Sequence, residues 1–286
     1  SQEPPEDQLQ SLRNLYGQGN YEEVLRCTKN LLVNYPNSVN LYNIIGASNK
    51  GLGKSEEAIS AYQKALTIKP DYAKAIINMG IALEGVRFKE PNIAIHETII
   101  SILEQKRFVR PIGIASASIS LLKLEPKLKK HLKSNDVEEI ESPQDVISDL
   151  IEFPLLLKLM SVCPLPDLEF EQLLKRLRQA ILSNVLDEKD ASPELCQFQS
   201  ALALHCFTNE YVYFYSEEEE KALLTLENVV KRAFKNNEQP SPQVILILAS
   251  YKPLNEYDWC KSLAVVDEIQ EVFTRQVEEP NQENNL

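Results

Sequence analysis

His205 and Cys206 stand side by side, and a thiol next to an imidazole is the pairing from which a cysteine nucleophile is made. Neighbours on a helix point to different sides of it, so this pair makes a poor nucleophile and base. The other two histidines, His96 and His131, are scattered. The five cysteines are Cys27, Cys163, Cys196, Cys206 and Cys260, an odd number with no C-x-x-C spacing. Disulfide frameworks and zinc sites need other arithmetic, so these thiols are expected to be free, buried and apolar in behaviour. Carboxylate pairs abound, but on helices such pairs are solvated. No catalytic, metal-binding or cofactor-binding residue is expected among these groups.

Phosphate cradles and S-adenosylmethionine loops depend on glycine, because the backbone must approach the ligand closely or adopt a positive φ. All eight glycines lie between Gly17 and Gly113, and none follows. The long glycine-free remainder cannot hold such a loop in its usual form. Its helices must instead be joined through proline and polar corners.

The net charge is −12, which disfavours general nucleic-acid binding and anionic membranes. No apolar run approaches the ~20 residues of a membrane span. The acidic, polar start Ser1-Gln2-Glu3-Pro4-Pro5 does not read as a signal peptide, so the expected compartment is the cytoplasm. The expected partner is a protein or peptide, with no nucleic acid and no membrane.

A repeat is visible early. Gly19 and Gly53, Pro36 and Pro70, and Gly46 and Gly80 are each separated by 34 residues, and Glu22-Glu23 recurs as Glu56-Glu57. This is the tetratricopeptide (TPR) period. The second unit carries the pattern Tyr42-x-x-Ile45-Gly46, Ala58-x-x-x-Tyr62, Ala65 and Pro70. Small residues at 46, 58 and 65 let two antiparallel helices pack closely. The first unit is degenerate, with Leu12 where glycine is usual. The third fails at Pro91, where its second helix should be starting. Two full units and the first helix of a third are expected over residues 1–86, with the following helices covering the open end. In particular, a helix carrying Ile95, Ile99 and Leu103 is expected to pack near Ile77 and Leu83 and replace the missing one.

First helices of TPR units line a groove that takes extended peptides. Here that face offers Arg13, Asn43, Ala47, Lys50, Lys74, Asn78 and Ile81. Asn43 and Asn78 could hydrogen-bond a peptide backbone, or all seven could be ordinary solvated positions.

Between Val86 and Lys133 the charge reverses, with ten basic against four acidic side chains. Residues 87–135 read as basic transition helices, and Lys106, Arg107 and Arg110 form a candidate basic patch. The basic excess is expected to meet an acidic partner, a neighbouring domain or a nucleotide-bearing ligand, or to be a solvated face.

Residues 136–286 read as an all-α domain. Ser142-Pro143, Ser192-Pro193 and Ser241-Pro242 each place a capping serine before a proline suited to the first helical position. Ser216 with Glu219 forms a capping box. Phe170, Leu173, Leu174, Leu177, Ile181 and Val185 make one apolar stripe, and Leu223, Leu226, Val230 and Phe234 another. An echo links Ser192-Pro193 and Asn209-Glu210-Tyr211 to Ser241-Pro242 and Asn255-Glu256-Tyr257, through duplication or chance. The two tyrosines are expected to bond backbone groups at their turns, with the asparagines in left-handed conformation at the helix exits.

The stretches Glu84-Gly85-Val86-Arg87-Phe88, Phe108-Val109-Arg110-Pro111, Leu165-Pro166-Asp167-Leu168-Glu169, Cys206-Phe207-Thr208-Asn209-Glu210-Tyr211 and Arg275-Gln276-Val277-Glu278-Glu279-Pro280 resemble the N-terminal part of bacterial TPR-containing class I S-adenosylmethionine-dependent methyltransferases. That resemblance implies a noncatalytic recognition module in front of a Rossmann-like domain. It implies S-adenosylmethionine only in that downstream domain and none in this chain. The alternative is a free-standing TPR adaptor without an enzyme; a third reading is a small-molecule enzyme within the helical region. The expected fold class is all-α: N-terminal TPR hairpins followed by a glycine-free α-helical domain.

Overall fold

A computed structural model describes residues 2–105, 107–132, 142–185 and 192–280. Every regular element among them is helical. The chain divides into two compact units, Ser1–Leu121 and Leu122–Leu286. That division falls inside the stretch read as basic transition helices.

The first unit begins with two helical hairpins, α1 (Glu6–Gly17) with α2 (Tyr21–Leu32) and α3 (Val39–Gly51) with α4 (Ser55–Ile68). Both first helices stop in the same way. Gly19 and Gly53 sit just past the ends of α1 and α3 with φ of 78° and 75°. The following amides close back, Asn20 N–H on the Leu15 carbonyl and Lys54 N–H on the Asn49 carbonyl. This is a glycine-terminated Schellman motif, and it explains why glycine recurs at the repeat period. Gly46 serves packing instead. A Cβ there would lie 2.6 Å from ring carbon Cδ1 of Tyr62, so only glycine lets α3 and α4 close around that buried ring. Leu9, Leu12, Val24 and Leu41 form a small core under the first hairpin, which accounts for leucine at 12. Glu3 takes the hydroxyl of Ser38 and the N–H of Val39 at the start of α3, while Ser38 Oγ accepts from Leu41 N–H.

Three more helices complete this unit: α5 (Ala73–Leu83), α6 (Ile93–Glu104) and α7 (Pro111–Leu122). Pro91 delays α6 past the point where the period would start it, and Asn92 caps it through Ile95 N–H. The helix buries Ile95, Ile99 and Leu103 as expected, and it packs against α4. Its expected place beside Ile77 is corrected: Ile77 remains 40% exposed, whereas Leu83 is buried. The space beside Gly80 is filled from elsewhere. A Cβ at Gly80 would lie 2.6 Å from Cγ2 of Val109, so a residue of the segment after α6 does for α5 what Tyr62 does for α3.

The second unit contains α8 (Pro126–Leu132), α9 (Pro143–Ile151), α10 (Pro154–Val162), α11 (Leu168–Asn184), α12 (Pro193–Thr208), α13 (Glu217–Lys235), α14 (Pro242–Ala249) and α15 (Asp267–Phe273). Short 3₁₀ turns at Leu254–Glu256 and Cys260–Ser262 and a π turn at Thr274–Glu278 fill in the end. Proline opens α8, α9, α10, α12 and α14. The serines at 142, 192 and 241 cap as expected, and Ser216 and Glu219 form both bonds of the capping box. α12 packs against α9, α10, α14 and α15 and is buried on nearly every side in its second half. The α11 stripe is fully buried, but on α13 only Leu226 and Val230 are; Leu223 and Phe234 are half-buried. The polar stretch Ser134-Asn135-Asp136 before α9 lies outside the described residues.

Candidate functional site: the concave face of the repeats

The first helix of each repeat presents one face inward, because residues three and four apart share a side of a helix. α1 contributes Arg13 and Tyr16. α3 contributes Asn40, Asn43, Ile44, Ala47 and Lys50. α5 contributes Lys74, Asn78 and Ile81, with Tyr72 at its N-terminal boundary and Tyr62 from α4 at the floor. Together they line one hollow of about 430 Å³. All seven side chains read from the sequence as a groove face therefore line it. Tyr16, Asn40, Ile44, Tyr62 and Tyr72 were not read as part of it. Asn40 carried a legible signal, since it lies one turn before Asn43 and Ile44 on α3. Tyr72 did not, because it precedes its helix.

The polar groups are partly organised already. Asn78 Nδ2 donates to Asn43 Oδ1 at 3.0 Å, joining α5 to α3. Tyr72 donates its hydroxyl to Asn40 Oδ1 at 2.8 Å. Burial, with the nearby charge of Glu3 adding, holds the Tyr72 phenol above its usual range and so keeps it a donor. The Asn43–Asn78 bond consumes one proton and one lone pair, leaving each amide further capacity. Arg13 Nη1 meets Glu6 Oε1 at 2.5 Å, an exposed pair. Lys50 and Lys74 make no ion pair within 4 Å among the described residues, so the groove holds two ammonium groups not engaged by a carboxylate.

A larger hollow, about 1000 Å³, lies over α4 and is lined by Tyr42, Ile45, Lys54, Glu56, Glu57, Lys64 and Arg87 among others. Its lining mixes cations with the carboxylates of Glu56 and Glu57, Lys64 lies 5.9 Å from the Tyr42 ring centroid, and no side-chain hydrogen bond among the described residues joins its helices, so size alone does not make it the stronger candidate. Of the basic patch, Arg107 and Arg110 are exposed and outside the groove, and Lys106 lies outside the described residues. Between them Val109 turns inward to Gly80.

His205 and Cys206 are both fully buried in α12. His205 Nε2 pairs with the Tyr213 hydroxyl at 2.9 Å, and burial pushes the imidazole down to about 4. Burial pushes the Cys206 thiol up to about 11. A neutral thiol away from solvent is no nucleophile. Among the described residues no group of three or more histidines, cysteines and carboxylates is placed to hold a metal ion. No helix among them is long and apolar enough to cross a membrane.

Parts of the chain are similar to known proteins. The TPR repeat family matches residues 50–85. The peroxisomal targeting signal receptor of Kluyveromyces lactis is 36% identical over 78 residues, 27% of this chain and 14% of the receptor. The receptor of Saccharomyces cerevisiae is 33% identical over 87 residues, 30% of this chain and 14% of the receptor. The receptor of Candida albicans is 36% identical over 67 residues, 23% of this chain and 11% of the receptor. The similar stretch thus spans at most 14% of these receptors' length. These matches point to no methyltransferase. The described residues are all-α and carry TPR hairpins.

Proposed function

We propose that the first unit captures an extended, carboxylate-bearing peptide segment of a protein partner in the groove between α1, α3 and α5. The observation that carries this reading is the Asn43–Asn78 pair set among Lys50, Lys74 and Arg13. An extended backbone has an unpaired donor and acceptor at every residue, and side-chain amides satisfy both. Ammonium groups lacking a partner favour a carboxylate, whose hydrogen bonds to charged donors are worth about 1.5–3 kcal/mol each. The similar receptors are named for binding a targeting signal, which supports a peptide ligand and says nothing of which one this chain takes.

The finer reading, a recognition module in front of a methyltransferase, rests on the family resemblance in the sequence. Under it the groove selects the protein to be methylated, S-adenosylmethionine belongs to a downstream domain, and the compartment is the cytoplasm. The free-standing adaptor uses the same groove without the enzyme.

The groove is tested by fluorescence anisotropy with a labelled library of decapeptides bearing free C-terminal carboxylates, each compared with its amidated form. Hits should lose at least about 10-fold in affinity on amidation, and as much in Lys50→Ala/Lys74→Ala, as loss of a charge-assisted bond requires. Asn43→Ala/Asn78→Ala should weaken free and amidated peptides alike. Hits that bind all variants as they bind the parent chain would rule the groove out.

A further inference from the structure

We propose that the segment from Val212 to Tyr215 in the second unit is a docking rail for an extended, basic and apolar segment of a protein partner. The rail lies between two rigid ends. Behind it, α12 closes with Glu210 N–H on the Phe207 carbonyl and Tyr211 N–H on the Cys206 carbonyl, with both residues at positive φ. Ahead of it stands the capping box at Ser216.

Between these ends the chain forms no helix, and Tyr211 and Tyr213 are half-buried while Val212, Phe214 and Tyr215 are exposed. Tyr211 sends its hydroxyl to the Ala249 carbonyl at 3.0 Å, and Tyr213 bonds His205. Tyr215 meets Tyr251 edge-on, with ring centroids 5.8 Å apart. The residues between them face out: Val212 is 67% exposed and Phe214 81%. The flanking tyrosines are held by hydrogen bonds and ring contacts, so the segment cannot roll over to bury these two without breaking them. Single exposed apolar residues are ordinary on protein surfaces. A valine and a phenylalanine held outward on one short segment between two hydrogen-bonded closures are a shaped surface.

Two further observations select the occupant. The N–H groups of Tyr213, Phe214 and Tyr215 have no backbone partner among the described residues, so they are available to the carbonyls of an incoming extended chain. The rail runs directly into Glu217, Glu218 and Glu220, all exposed. The partner that fits therefore has an extended backbone, apolar side chains for Val212 and Phe214, and lysine or arginine for the carboxylates. This is the opposite charge preference from the groove.

The test uses the full chain and a labelled, acetylated and amidated decapeptide of alternating leucine and lysine, which has no carboxylate for the groove. Leucine–glutamate and serine–lysine versions serve as comparisons. Anisotropy should show binding of the leucine–lysine peptide, at least 10-fold weaker for both comparisons. Val212→Ser/Phe214→Ser should lower its affinity at least 10-fold, and Glu217→Gln/Glu218→Gln/Glu220→Gln should do the same at low salt. Lys50→Ala/Lys74→Ala should change nothing, which separates this surface from the groove. Val212, Phe214, Glu217, Glu218 and Glu220 are all exposed, and unchanged Trp259 fluorescence would show the second unit intact. The proposal is overturned if the parent chain does not bind the peptide, or if Val212→Ser/Phe214→Ser binds it equally well. It is also overturned if sedimentation shows a dimer that this variant dissociates, because the occupant is then a second copy.

Discussion

The two units end their helices differently. In the first, glycine takes the left-handed position after α1 and α3, and nothing else is needed. The second has no glycine, yet it builds the same Schellman closure twice, with Glu210 after α12 and Asn237 after α13. For the end of α14 it uses distant side chains. Tyr257 donates to the Leu248 carbonyl, Tyr211 and Gln276 donate to that of Ala249, and Arg178 donates to that of Ser250. A glycine end is local and leaves the neighbouring surface free, as the open groove requires. An end satisfied by α11, the post-α12 segment and the C-terminal π turn ties those parts into one body. Each glycine closure in the first unit is made within its own hairpin, whereas the end of α14 draws on several parts of the second unit.

The comparison breaks hardest at Arg178. It is 1% exposed, its guanidinium carbon lies 3.9 Å from the Tyr251 ring centroid, and it donates to Ser250 at 3.3 Å. Arg178→Ala removes a buried side chain and a carbonyl's partner together, so it should cost about 2–5 kcal/mol. Denaturant unfolding followed through Trp259, the only tryptophan, reads the second unit specifically. A midpoint unchanged by the substitution would mean that the end of α14 does not depend on its distant partners.

An effect nearly as large comes from pH. His205 is neutral in the fold because burial lowers its pKa to about 4, against about 6.5 when unfolded. Between these values the unfolded chain binds the extra proton. Stability from this group is therefore complete above about pH 6.5, falls as the pH drops toward about 4, and is flat below that, a loss of up to about 3 kcal/mol. The difference between the unfolding free energies of the parent chain and His205→Gln, measured from pH 7 to 4, isolates it. Parallel curves would show that His205 is not buried neutral.

Smaller and opposite in sign are the effects at the left-handed positions. Gly53→Ala meets no atom within 4 Å, so its cost is the backbone conformation alone, about 1–2 kcal/mol. Glu210→Gly relieves the same strain and should stabilise by roughly 0.5–1 kcal/mol after the added flexibility of the unfolded chain is counted. Thermal melts by far-ultraviolet circular dichroism would show the two shifts. Equal destabilisation by both would mean that the Glu210 side chain, and not its backbone, holds the closure.

The left-handed positions also correct the reading of the corners. Asparagine was expected at the exit of α12, but Asn209 has φ near −92°, and the left-handed residues are Glu210 and Tyr211. The echoed Asn255 lies in a 3₁₀ turn. Tyr211 and Tyr257 do bond backbone carbonyls, both at the end of α14; this is Tyr257's own corner, whereas Tyr211 reaches it from the exit of α12. The two corners thus have different roles whatever their origin.

The sequence alone determined whatever depends on neighbours within one turn or one hairpin. Serine before proline, the capping box, the 34-residue glycine period and the α11 stripe each act through bonds or contacts a few residues apart, so each was legible. The face of Arg13, Asn43, Lys50, Lys74 and Asn78 was legible too, because the repeat translates one helix face into the next. What only the tertiary structure decided is long-range. Val109 beside Gly80, Tyr72 on Asn40, Arg178 under Tyr251 and Gln276 spanning α12 and α14 join residues from 27 to 73 positions apart wherever a hydrogen bond is made across the unit. Such partners are selected by shape and by which carbonyl is left over once the helices have packed. No local pattern encodes which carbonyl that is, because any glutamine, tyrosine or arginine of the right reach could answer it.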